Sequence, residues 1–163
     1  MRDRPAIRPA RRAALLSMAG LALAACGGAR TQSGLIRRIN PPSASLERLV
    51  VADGGPVRVA VRLQNFSTVP TRFGRVDAVV SIDGRAAGRL ALDAGIEIPG
   101  LTSDVVEGSL ALDAPARARL AAARAAVAYR LDGGIATTEP EDTYEFTFES
   151  RLNPVPGRPG EFR

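Results

Sequence analysis

One thiol and no imidazole bound the chemistry of this chain. Cys26 is the only cysteine among 163 residues, and histidine is absent. That removes His-based triads, the usual zinc ligand sets and any intramolecular disulfide. Carboxylates remain. Glu139, Glu141 and Asp142 lie close together, but they lack the spacing and the glycine of a calcium-binding helix–loop–helix site and read as a solvated loop. Asp53-Gly54-Gly55 and Asp132-Gly133-Gly134 read as turns, because Asp and Gly accept unusual φ values. Asn65-Phe66-Ser67 fits a glycosylation sequon. No carboxylate pair at a catalytic separation follows from distance along the chain. The expectation is a protein with no catalytic residue, no metal and no cofactor.

The surroundings of the thiol are informative. Residues 1–12 carry five arginines (Arg2, Arg4, Arg8, Arg11 and Arg12) against one acid, Asp3. Residues 13–25 are small or apolar throughout, with Ser17 the only hydroxyl. A basic segment, a short apolar core and a small-residue ending form a secretory signal. Thirteen residues are too few for a membrane span, which needs about 20. The ending resembles the bacterial lipobox, in which a branched apolar residue and two small residues precede an obligatory cysteine. Leu23, Ala24, Ala25 and Cys26 fill its four positions. The resemblance implies diacylglycerol on the Cys26 thiol, cleavage before Cys26 and acylation of the new amino group. Two or three acyl chains hold firmly where one is marginal, at roughly 0.8 kcal/mol per buried methylene. Gly27 stands where an Asp would favour retention at the inner membrane, so the expected address is the outer membrane, facing the periplasm. Arg11-Arg12 fits part of a twin-arginine export signal, whose remainder is missing.

Cleavage would change the charge. The chain has 22 basic and 17 acidic residues. Removing residues 1–25 takes away five Arg and one Asp, leaving 17 and 16. The high isoelectric point is therefore largely a property of the signal, and nucleic-acid binding, which needs a basic face on the mature domain, is not expected. Every basic residue is Arg, which with so much Ala and Gly reflects a GC-rich genome more than a function.

The mature chain has room for one domain. Residues 26–42 read as a lipidated tether closed by Pro41-Pro42, residues 43–152 as a β domain, and residues 153–163, rich in Pro and Gly, as a disordered or surface-bound tail. Strands are expected over 45–52, 57–64, 73–82, 85–92, 105–112, 127–132 and 143–149. The clearest is 57–64, where Val57, Val59, Val61 and Leu63 alternate with Arg58, Arg62 and Gln64 apart from Ala60. Asp83-Gly84 is a strong hairpin signal, with Ala86, Gly88, Leu90 and Leu92 sharing a face of the second arm. Tyr144, Phe146 and Phe148 point inward from the last strand. A short helix follows Asp113, which caps it, and Pro115 suits its first turn. Ile96, Ile98 and Leu101 mark a proline-interrupted segment read as a sheet edge or connection, and as the candidate edge-binding segment. Seven short strands with turns between them predict an all-β, antiparallel β-sandwich with one short surface helix.

From about Pro42 to Leu152 the chain also resembles the late embryogenesis abundant type 2 family, the water stress and hypersensitive response domain. The resemblance rests on the strand 57–63, on Asn65-Phe66-Ser67 with Pro70, and on Asp83-Gly84 with Gly88. It continues through Ile98-Pro99-Gly100-Leu101, the strand 105–112, the helix after Asp113, and Tyr129 with Gly133. Asn65 is kept, while Phe66 and Ser67 stand where the family's turn has Pro and Asn. The resemblance implies an immunoglobulin- or fibronectin-III-like sandwich and an association with dehydration or other stress, and it carries over no catalytic residue. Three readings stay open at this point. One is a non-enzymatic lipoprotein acting as a stress-protective or protein-interaction module. Another is a lipid or amphiphile carrier, suggested by the small residues Ala60, Ala78, Ala86, Gly88 and Gly108. The third is a structural subunit of an envelope complex. The membrane, through lipid on Cys26, and an envelope protein are the expected partners.

Overall fold

In a computed structural model of the chain, residues 36–52 and 55–163 are described. In order they form β1 (Ser43–Val50), β2 (Val57–Gln64), β3 (Thr71–Ile82), β4 (Arg85–Ile98), β5 (Ser103–Leu112), α1 (Ala114–Ala121), β6 (Val127–Glu139), β7 (Glu141–Leu152) and β8 (Glu161–Phe162). Strand β2 obeys its alternation: Val57, Val59, Val61 and Leu63 are buried, Arg58 is exposed and Gln64 half-buried. Each such side chain contributes about 1.5–3 kcal/mol on full burial. The β3–β4 hairpin forms at Asp83-Gly84, both with positive φ (47° and 79°), the turn whose twist suits antiparallel arms. Ala86 is exposed and Ala87 buried instead. The pairing slips between Val80 and Ser81, whose partners are Gly88 and Ala86, so Ala87 is an extra residue that turns inward.

All eight strands belong to one antiparallel sheet, in the order β7-β6-β3-β4-β5-β2-β1-β8. This amends the expectation of two stacked sheets. The joint between the halves is short, since β4 and β5 pair only over Gly88–Leu90 and Leu110–Leu112. Around that joint the sheet curls until β1 lies against β6 and β7, and one core fills the concave side, from Leu49 and Leu63 to Phe73, Leu131 and Ile135. The Tyr129 hydroxyl accepts from the Leu46 backbone N–H at 3.1 Å, joining β6 to β1 across this core.

Three segments differ from the sequence reading. Asp132-Gly133-Gly134 is no turn but the middle of a 13-residue strand, β6. A Cβ on Gly133 would lie 2.0 Å from the Asp77 carbonyl oxygen and 2.5 Å from the Ala78 Cα of β3. The glycine serves close backbone approach, not a reversal. The segment 96–98 continues β4 rather than interrupting it. The C-terminal residues are also ordered: β8 pairs with β1 (Leu49 with Phe162, Val50 with Glu161), and Phe162 is 1% exposed in the core. The prolines and glycines of 153–160 turn the chain back so that this single aromatic reaches the interior. Helix α1 starts as expected, with Asp113 Oδ1 accepting from Ala116 N at 2.8 Å. Its Arg117 donates to the Ala52 carbonyl at 3.2 Å, tying the helix to the chain after β1.

Adjacent glycines of β6 should respond oppositely to alanine. Gly133→Ala should cost about 2–3 kcal/mol through overpacking. Gly134→Ala, whose Cβ would meet nothing nearer than 3.8 Å, should be neutral or stabilising by up to about 1 kcal/mol. Urea denaturation of both variants measures this, and equal stabilities would contradict the close approach.

Candidate functional site

The anchor sequence Leu23, Ala24, Ala25 and Cys26, with Gly27, lies outside the described residues. Residues 36–40 fall within the stretch expected to be a tether up to Pro42, and they are bonded to the domain. The Arg38 N–H donates to Thr68 Oγ1 at 2.9 Å, and the Thr68 N–H donates to the Arg38 carbonyl at 3.0 Å. Thr68 Oγ1 also donates to the Ile36 carbonyl at 2.8 Å. The Asn40 N–H reaches Ser67 Oγ at 3.0 Å, and its amide donates to the Phe66 carbonyl at 2.8 Å. Residues 36–40 are thus clipped onto the β2–β3 loop. The short side chains of Ser67 and Thr68 do this, since hydroxyls both donate and accept toward backbone.

The same loop turns on Asn65, which is 1% exposed. Its amide donates to the carbonyls of Val69, Ile98 and Pro99 at 2.9–3.2 Å, and its Oδ1 accepts from the Ser67 N–H at 2.9 Å. Buried and saturated, this amide is no glycan acceptor. Only a primary amide offers two donors and an acceptor at one point, which explains why the position is Asn. Its role as a hub joining two loops, 65–70 and 98–101, is invisible to local sequence, because its partners are up to 34 residues away.

The candidate edge residues are placed as follows. Ile98 is fully buried, and its carbonyl is taken by Asn65. Ile96 is half-buried against the core. Leu101 is exposed, with φ 61°, in the turn between β4 and β5. Thr71 to Phe73 of β3 pair with Ile98 to Ile96 on one side. On the other side, β4 has no strand partner beyond Gly88–Leu90, and β5 pairs only with β2 over 103–109. The two strands therefore part in a wedge with two open edges. Gly108 does not leave a cleft here: its missing Cβ would lie 2.8 Å from Leu92 Cδ1, so Leu92 fills the space. Gly88 likewise lets the Ala111 carbonyl of β5 approach to 1.9 Å from where a Cβ would be.

Two shallow cavities adjoin the sheet. One, of about 390 Å³, is lined by Arg37, Val69, Pro70, Glu97, Glu139 and Pro140. Arg72 faces both of its carboxylates, at 3.6 Å from Glu97 and 3.9 Å from Glu139. The other, of about 510 Å³, lies between the β3–β4 hairpin and α1. There Asp83 pairs with Arg119 at 2.8 Å, and Asp113 caps the helix. Among the described residues no three His, Cys, Asp or Glu side chains converge as metal ligands, and no helix is long and apolar enough to cross a membrane.

The convex face is laced with ion pairs. Arg75 sits between Asp77 and Asp93, and Arg130 between Asp132 and Glu149. The Arg75 guanidinium holds the Asp77 carboxyl below the ordinary carboxylate value. Arg130, helped by the Thr147 hydroxyl, does the same to Asp132. Burial pushes the Tyr129 hydroxyl above its ordinary value, so it stays neutral while bonded to Leu46.

Asn65→Ala should cost about 2–3 kcal/mol, because it leaves buried carbonyls and one N–H without partners. Gln64→Ala, half-exposed beside it, should stay within about 0.5 kcal/mol. Chemical denaturation separates the two. Asp77 and Asp132 have lowered folded-state pKa values, so their stabilisation is present above the ordinary carboxylate range and is lost as pH falls through the lower folded values. The lead in melting temperature of the native protein over an Asp77→Asn, Asp132→Asn double variant should therefore shrink on acidification. A lead independent of pH would contradict the pairing.

No family profile and no curated protein matches the chain. It is similar in structure to several solved proteins at low identity. A solution structure from Arabidopsis thaliana is 14% identical with a TM-score of 0.48, over 72% of this chain and 83% of that one. A solution structure described as a late embryogenesis abundant protein is 14% identical with a TM-score of 0.45, over 73% and 74%. A crystal structure of a protein from Archaeoglobus fulgidus is 12% identical with a TM-score of 0.39, over 72% and 98%.

Proposed function

We propose that this chain is a non-enzymatic lipoprotein of the bacterial envelope, held by lipid on Cys26, whose curled β domain is a protein-interaction module of the late embryogenesis abundant kind. The observation that carries the reading is the run Leu23-Ala24-Ala25-Cys26 directly after an apolar core and an arginine-rich start. The polar groups of the described domain agree with it. Asn65, Ser67, Thr68 and Asp113 are engaged in holding loops and a helix end, and Arg75 and Arg130 of the convex face are paired with carboxylates. They leave little constellation for chemistry. In this reading the two halves of the curled sheet act as the layers of an immunoglobulin- or fibronectin-like module. The open edges of β4 and β5 offer backbone groups to an added strand. In this reading Gly27, where an Asp would favour the inner membrane, favours the outer membrane, with the domain on the periplasmic side.

Replacing Cys26 with Ala tests the anchor. The variant should remain unprocessed and lose the mass of the acyl chains, while the native protein should fractionate with the outer membrane. Identical processing, mass and fractionation in both would refute the reading.

A further inference from the structure

The end of the domain that carries residues 36–40 holds most of its exposed large hydrophobic side chains among the described residues. Six large hydrophobic side chains are exposed among the described residues: Ile36 (70%), Ile39 (45%), Phe66 (46%), Leu101 (61%), Val79 and Val105. The first four occur together. Residues 36–40 are bonded to Phe66, Ser67 and Thr68, and the Leu101 N–H donates to the Ser67 carbonyl at 2.9 Å. The hydrogen bonds that fix this end therefore hold four greasy side chains outward in one place. Arg37 and Arg38 lie on the same segment and are exposed. Glu97 and Glu139, which line a cavity with Arg37, face Arg72.

We infer that this end docks on the bilayer, with Ile36, Ile39, Phe66 and Leu101 entering the interfacial region and Arg37 and Arg38 lying among the headgroups. The inference rests on the lipid-anchor reading of Cys26. Nine residues lie between Cys26 and Ile36, and the ten steps from one to the other reach at most roughly 34 Å at ~3.4 Å each. An anchored domain on so short a leash meets the membrane at an effective concentration on the order of millimolar. Contacts too weak to recruit a free protein then suffice to hold the domain down. The clip at 36–40 matters here: it shortens the leash and fixes which end arrives first. Docking at this end leaves the Val79 face, the convex surface of β3, turned toward solvent.

The test uses the mature lipidated protein in vesicles of phosphatidylethanolamine and phosphatidylglycerol. An environment-sensitive fluorophore is attached at Leu101→Cys, at Ile36→Cys or, as control, at Val79→Cys, since an acylated Cys26 thiol does not react. The labels at 101 and 36 should shift to the blue and be quenched by doxyl-phospholipid several-fold more than the label at 79. A Phe66→Ser, Ile39→Ser double substitution should remove most of that difference. A lipidated protein whose labels at 101 and 36 remain as water-like as that at 79 overturns the docking face and leaves the anchor standing. Shielding of the 101 label from an aqueous quencher without quenching by lipid means a second copy covers the face, and also overturns it. An intact mass showing unmodified Cys26 overturns the anchor and this inference with it.

Discussion

The structure depends on the curl that brings β1 against β6 and β7. An open eight-stranded sheet of these residues would leave the apolar face of every strand in water. Curling puts Leu46 and Leu49 of β1 opposite Tyr129 and Leu131 of β6, and all four are buried. The Tyr129 hydroxyl bonding the Leu46 backbone satisfies polar groups that closure would otherwise strand. It lies beside a register shift in β1 between Leu46 and Arg48, where the ladder to β2 is irregular. Closure is completed by the C-terminal β8, which covers the outer edge of β1 and adds Phe162 to the core.

Curvature of this kind needs strands that approach closely at chosen points and part at others. Gly133 against β3 and Gly88 against β5 permit approach where a Cβ would collide with backbone. The β4–β5 ladder then ends after three pairs, and the loops beyond it are held by Asn65 rather than by strand pairing. The β4 and β5 edges stay open between the last ladder pair at Leu90 and the loop at 98–101, where the Asn65 amide ties the strand ends together. A domain lacking disulfides and with few aromatics relies on such saturated contacts and on dense aliphatic packing.

That economy bears on function. The buried polar residues Asn65 and Ser67 serve loop geometry, and on the convex face Arg75 pairs with Asp77 and Arg130 with Glu149. What the described residues leave unpaired or exposed is backbone at two sheet edges and an apolar end formed by Ile36, Ile39, Phe66 and Leu101.

The sequence by itself determined the local elements whose signals are short in range. The alternation of 57–64 could suit only a half-buried strand, Asp83-Gly84 only a tight reversal, and Asp113 with Pro115 a helix start. The proposed lipidation motif is of the same kind, since four consecutive residues and the preceding charge pattern carry it. Tertiary structure alone decided whether Asp132-Gly133-Gly134 turns or runs straight, because glycine serves both purposes and the deciding atoms belong to β3, more than fifty residues earlier. It likewise decided that the halves form one curled sheet, since three pairs at Gly88–Leu90 make the difference and no strand's own pattern encodes its neighbour. Phe162 in the core and Asn65 at the hub belong to the same class: each takes its role from groups distant in the chain, and only folding brings those groups within reach.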